Sequence, residues 1–149
     1  MLILHQLLTN YILIAAVVSW MTSQLIKTIL TLITTRKFVP ERIFGAGGMP
    51  SAHTAMVCSL LIGVGRACGP NSAEFALAVA FAAVVIYDAM GVRRAAGEQA
   101  KVINRMVSLW EEKGLDVADK ELKEYLGHTP MEVLGGAMIG ILVGVAIGG

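Results

Sequence analysis

The chain has 149 residues, of which 56% are hydrophobic and only 15% charged, with a mean hydropathy of +0.69. A soluble domain carries charge on roughly a quarter of its residues, so this composition excludes an ordinary soluble fold, and the length excludes two ordinary domains. No low-complexity tract points to disorder, and 12 Lys and Arg against 11 Asp and Glu leave no basic footprint for nucleic acid. Roughly 80 residues lie in long apolar runs and a bilayer-spanning helix needs roughly 20. The chain therefore reads as one all-α domain over residues 1–149, a polytopic membrane bundle of about four transmembrane helices.

The first ten residues hold no Lys or Arg and no small-residue cleavage site, so the first apolar segment is expected to stay as an anchor. A first span is predicted from about Tyr11 to Thr34. Ser19, Ser23, Lys27 and Thr31 recur along it every four residues, which puts a polar stripe on the face turned into the bundle. The second span, about Ser51 to Ala67, is short for a crossing, and Cys68-Gly69-Pro70-Asn71-Ser72 reads as a tight turn. The spacing of Cys58 and Cys68 fits neither a disulfide framework nor a zinc site, so both read as small buried apolar residues. A third span follows from about Ala73 to Met90.

The stretch from about Arg93 to Tyr125 is too polar to span. Within it Val102, Ile103, Met106, Val107 and Trp110 recur at helical spacing among charged residues, the pattern of an amphipathic helix lying on the membrane with Trp110 at headgroup depth. The last span runs from Pro130 to about Ile147. Its Gly136, Gly140, Gly144 and Gly148, in steps of four, allow a neighbouring helix to approach closely, either within the chain or in a second copy as a homo-oligomer.

Ten of the twelve Lys and Arg lie in the two loops that join spans one and two and spans three and four, whereas Arg66 stands alone on the opposite side. The positive-inside rule places both loops in the cytoplasm and both termini outside a cell membrane.

Three groups on that cytoplasmic side could do chemistry. Gly47-Gly48-Met49-Pro50-Ser51-Ala52-His53-Thr54 leads into span two. Pro and Ser are ordinary helix-start residues there, but a helix N-terminus preceded by Gly-Gly and followed by a histidine is also a ready phosphate site. Gly127-His128-Thr129-Pro130-Met131-Glu132 opens span four. Thr129 and Glu132 form a capping box, and Glu132 is also four residues from His128, within reach of a carboxylate–imidazole hydrogen bond. The third group is cationic: Lys27 at membrane depth, where an ionisable side chain marks a functional site by default, and Arg93 and Arg94 after the third span, suited to phosphate recognition. Asp88 is expected to pair with one of these cations. No cluster has the ligands of a metal site, and no cofactor is implied. Two imidazoles, a carboxylate and several cations suit metal-free attack on a phosphate ester, one imidazole attacking phosphorus and the other protonating the leaving alcohol.

Pro50-Ser51-Ala52-His53 resembles the P-S-x-H motif of the type 2 phosphatidic acid phosphatase superfamily, which includes the vanadium-dependent haloperoxidases. His128 to Gly136 resembles that superfamily's third motif. The set Gly-Gly-Met-Pro-Ser-x-His, Asp-Ala-Met-Gly-Val-Arg-Arg and Leu-Gly-His-Thr-Pro-x-Glu-Val is similar to its divergent branch, the small acid phosphatase/haloperoxidase-related membrane proteins, over about Lys27 to the C-terminus. The resemblance implies His128 as a nucleophile forming a phosphohistidine, Glu132 as the carboxylate that orients it, and His53 as general acid. It further implies that Ser51 and the backbone N–H groups near Gly48 hold phosphate oxygens, and that Lys27 stands for the first motif's lysine.

The chain departs from the superfamily pattern at several points. Arg36 lies nine residues after Lys27 and is followed by Lys37 rather than Pro, and Leu122 stands six before His128, where an arginine is usual. Glu132 replaces an Asp, and about four spans replace six. Arg93 or Arg94 could supply the missing charge. The function expected is a membrane phosphatase acting on a lipid phosphate of the phosphatidate or phosphatidylglycerophosphate type. The alternative is a non-catalytic binder or transporter of phosphorylated lipids that uses the same pocket.

Overall fold

The computed structural model describes residues 1–36, 48–113, 122 and 127–147, apart from the side chains of Arg93 and Glu111. Its described elements are all helical: α1 Leu2–Thr9, α2 Tyr11–Thr35, α3 Ala52–Cys68, α4 Ala73–Met90, α5 Val92–Glu111 and α6 Pro130–Ile147. Three stretches are long and apolar enough to cross a membrane: α2, the run that begins with α4, and α6, while α3 is a shorter apolar helix. The four expected apolar helices are therefore present, three of them long enough to cross.

α2, α3 and α4 each start where the chain supplies a side-chain cap. Asn10 Oδ1 accepts from the N–H groups of Ile12 and Leu13 at 3.1 and 3.2 Å, Ser51 Oγ from Thr54 N–H at 3.4 Å, and Ser72 Oγ from Phe75 N–H at 3.1 Å. These bonds satisfy donors that a first helical turn otherwise leaves unpaired. Gly69, at φ +82°, ends α3 in the turn foreseen from its Gly-Pro. Asn10 also separates α2 from α1, an exposed helix that was not anticipated because eight apolar-rich residues show no clear period.

α3 is the centre of the bundle and packs on α2, α4 and α6; α2 also packs on α6, and among the described helices α5 packs on α4. α2 and α3 are antiparallel: Ser19 Oγ donates to the Ala55 carbonyl at 2.9 Å, and Ile12 lies against Gly63. The polar stripe of α2 faces this seam, with Ser19, Ser23 and Lys27 all buried.

The glycine stripe of α6 meets α3. A methyl group on Gly136 would strike the Ser51 carbonyl, one on Gly140 the Ala55 carbonyl, and one on Gly144 would sit 3.0 Å from Ile62 Cβ. Ser51, Ala55 and Ser59 repeat on α3 with the same step of four, so small residues oppose small residues and the backbones touch. At the far end Arg66 donates to the Val145 carbonyl at 2.9 Å, supplying a partner to the last turn of α6.

α5 carries the expected two-sided pattern. Val102, Ile103, Met106, Leu109 and Trp110 are exposed, whereas Gly97 and Ala100 on the opposite face are buried. The cysteines differ from expectation. Both are free, Cys58 only half-buried and Cys68, the last residue of α3, exposed at the helix end.

Candidate functional site

The N-terminus of α3, the segment entering α6 and the last turn of α4 are tied together by main-chain bonds. Ser51 N–H donates to the Glu132 carbonyl at 2.9 Å, and His128 N–H donates to the Ala89 carbonyl at 2.8 Å. Both N–H groups would otherwise be orphans at helix starts. The two bonds make one rigid junction of three chain segments, and each presents a histidine or its neighbour. Ala89 is itself buried, so its small side chain lets the His128 backbone approach.

His128 is 4% exposed. Its Nδ1 lies 2.9 Å from Glu132 Oε2, and the same carboxylate oxygen accepts from Thr129 N–H at 3.1 Å while Glu132 N–H donates to Thr129 Oγ1 at 3.3 Å. The capping box and the imidazole contact, both expected from spacing, are both present and share one oxygen. An acceptor at Nδ1 puts the ring proton there and leaves the Nε2 lone pair free. The His53 and His128 rings come to 6.2 Å between centroids at an angle of 59°. That is edge-to-face range for two rings and close enough for both to reach one tetrahedral group.

The remaining expected residues divide. Ser51 is wholly buried, its Oγ accepting from both Thr54 N–H and Thr54 Oγ1, the latter at 3.0 Å; its hydroxyl caps α3. Gly48 holds a left-handed backbone at φ +83° just ahead of that cap, a conformation that favours glycine. Lys27 is 2% exposed. It lies two helical turns beyond Ser19, about 12 Å, whereas Ser51 lies one turn before the Ala55 carbonyl that Ser19 contacts. Lys27 is thus about one turn beyond Ser51, level with the chain entering α3. Asp88 is half-buried beside the Ala89 carbonyl that holds His128. Arg94 is exposed in the first turn of α5, and no described contact joins it to the histidines. The backbone of Arg93 lies in α5 and its side chain outside the described residues.

Leu122, at the position where the related superfamily has arginine, is held by its main chain. Asn104 Nδ2 donates to the Leu122 carbonyl at 2.8 Å and Leu122 N–H donates to Asn104 Oδ1 at 2.9 Å. Leu122 is thereby anchored to α5. Neither this clamp nor the Ala89 carbonyl was foreseen, since main-chain partners leave no mark in residue type.

A family model described as "Divergent PAP2 family" matches residues 8–143. The chain belongs to the Divergent PAP2 family. A relative in Bacillus subtilis (strain 168), "Uncharacterized membrane protein YuiD", is 39% identical over 148 residues, covering 93% of this chain and 94% of that protein. No solved structure matches. Family membership, the relative and the apolar helices agree on a membrane protein, and the motifs expected to carry the chemistry lie within the matched residues.

Proposed function

We propose that this Divergent PAP2 family protein is a membrane phosphatase that hydrolyses a lipid phosphate monoester, of the phosphatidate or phosphatidylglycerophosphate type, through a phosphohistidine. The observation that supports this reading most is the pair of imidazoles from distant parts of the chain, 6.2 Å apart, one of them fixed by a carboxylate at 2.9 Å. In the reaction the His128 Nε2 lone pair bonds to phosphorus and the ester P–O bond breaks, while His53 gives its proton to the leaving alcohol. Water then attacks phosphorus, the N–P bond breaks, and His53 takes the proton that water loses, releasing inorganic phosphate. Lys27 supplies fixed positive charge at the phosphate, and Arg93 or Arg94 is the candidate for the charge that Leu122 does not supply. The Lys and Arg of the two loops that lead in sequence into the histidine segments support a cytoplasmic site.

A second reading, a protein that binds or carries phosphorylated lipids without turnover, is favoured by one observation: Leu122 in place of the arginine. Purified protein in detergent with EDTA, given phosphatidate, separates the two. The phosphatase reading expects phosphate release that is lost in His128→Ala; equal background in both proteins supports the binder.

A further inference from the structure

We infer that the face of α3 that carries His53 is a lateral binding strip for the hydrocarbon chain of the substrate, opening the site sideways into the bilayer. This rests on the reading that the site takes a phosphorylated lipid.

His53, Met56, Leu60 and Val64 follow one another at helical spacing and share one face of α3. Off this face Ala52, Thr54, Ala55, Val57, Ser59 and Gly63 are buried, Leu61 is half-buried, and the half-buried Cys58 and Ile62 lie against Gly140 and Gly144 of α6. Along the His53 face Met56 is 37% exposed, and His53, Leu60 and Val64 are half-buried. The cause is the arrangement of the neighbours. α2, α4 and α6 all pack on α3, and α6 also packs on α2, but α2 and α4 do not meet among the described residues. The central helix is therefore left open along one strip.

The two ends of this strip differ in chemistry. At its head stand the paired histidines, at the N-terminus of α3 and near the level of the buried Lys27, an environment that attracts an anion. Below His53 the strip offers only hydrocarbon and the Met56 thioether for about 16 Å as far as Val64. An anionic head with a long apolar tail matches both ends in sign and in order; a water-soluble phosphate ester would use only the head. α3 is 17 residues long, about 25 Å against a hydrocarbon core of about 30 Å.

The test uses the full-length protein in phosphatidylcholine nanodiscs carrying a trace of one of two lipids with a diazirine at the end of one acyl chain, a phosphatidate or a phosphatidylcholine. After illumination, labelled peptides are mapped by mass spectrometry. The phosphatidate probe is expected to label α3 around Leu60 and Val64 several-fold over the outward faces of α4 and α6, and the phosphatidylcholine probe to label all three alike. Leu60→Trp, which fills the strip, should remove the α3 excess, and Leu60→Ala should retain it. Equal labelling of wild-type α3 by both probes would overturn the inference. Phosphate release does not enter this readout. Selective labelling without turnover would support the strip and turn the proposed phosphatase into a binder, whereas turnover with even labelling would overturn the strip alone.

Discussion

Glu132 is the residue on which structure and chemistry meet. One oxygen of its carboxylate accepts from His128 Nδ1 and from Thr129 N–H, so its loss has two separable consequences. Glu132→Ala removes the cap as well as the imidazole partner, and should cost about 0.5–2 kcal/mol of stability, read as a lowered Tm in detergent. Glu132→Gln keeps an acceptor for both donors but not the negative charge that stabilises an imidazolium. It should leave Tm nearly unchanged while phosphate release falls on the order of a hundred-fold. Equal effects of the two substitutions on Tm and on turnover would show a purely structural residue. Both contacts of Glu132 were legible beforehand because they are local, three and four residues apart on one helix start. Lys27 was legible for a different reason: a cation in an apolar run admits few explanations. The tie between His128 N–H and the Ala89 carbonyl joins distant segments through main-chain atoms, so nothing in the residue types could announce it. The same limit applies to the cations expected at the site, since residue type nominated Arg94 but could not show that it is exposed on α5.

At the scale of helices, spans were readable because apolar length is a strong signal, and the ends of α4 and α6 fell where they were expected. What the pattern left open was the partner of the α6 glycines, for which a neighbour in the same chain and a second copy give the same spacing. The fold shows α3 against them, matched by its own Ser51, Ala55 and Ser59. Gly140 is the most informative position, since a methyl there would meet both the Ala55 carbonyl and Cys58 Cβ. Gly140→Leu should destabilise the protein by about 1–3 kcal/mol or more through overpacking, and part α6 from α3 so that the two histidines separate. Leu142→Ala, on the exposed face of α6, should change stability by less than about 0.5 kcal/mol. Thermal unfolding of both variants in the same detergent checks the contrast, and a Gly140→Leu protein as stable as the wild type would contradict the close seam. α1 escaped the sequence reading because a short exposed helix has neither a buried face nor a period to betray it.

For the whole molecule, both histidine segments lie at one end of the bundle, and Cys68, exposed at the opposite end of α3, is a natural reporter of orientation. With the charged loops in the cytoplasm, a membrane-impermeant maleimide added to intact cells should label Cys68, whereas a cysteine placed at Lys113 should react only after the membrane is opened. The reverse pattern would invert the topology and place the site outside. The central claim, that the converging imidazoles hold and transfer a phosphoryl group, is tested most directly by trapping it. Purified protein is mixed with phosphatidate carrying a radiolabelled phosphate and quenched in alkali, and the phosphoryl group is located by peptide mapping. The account predicts an alkali-stable, acid-labile phosphoryl label on His128, absent from His128→Ala. Phosphate release that persists in His128→Ala, or a wild-type protein that neither acquires the label nor releases phosphate, would contradict it.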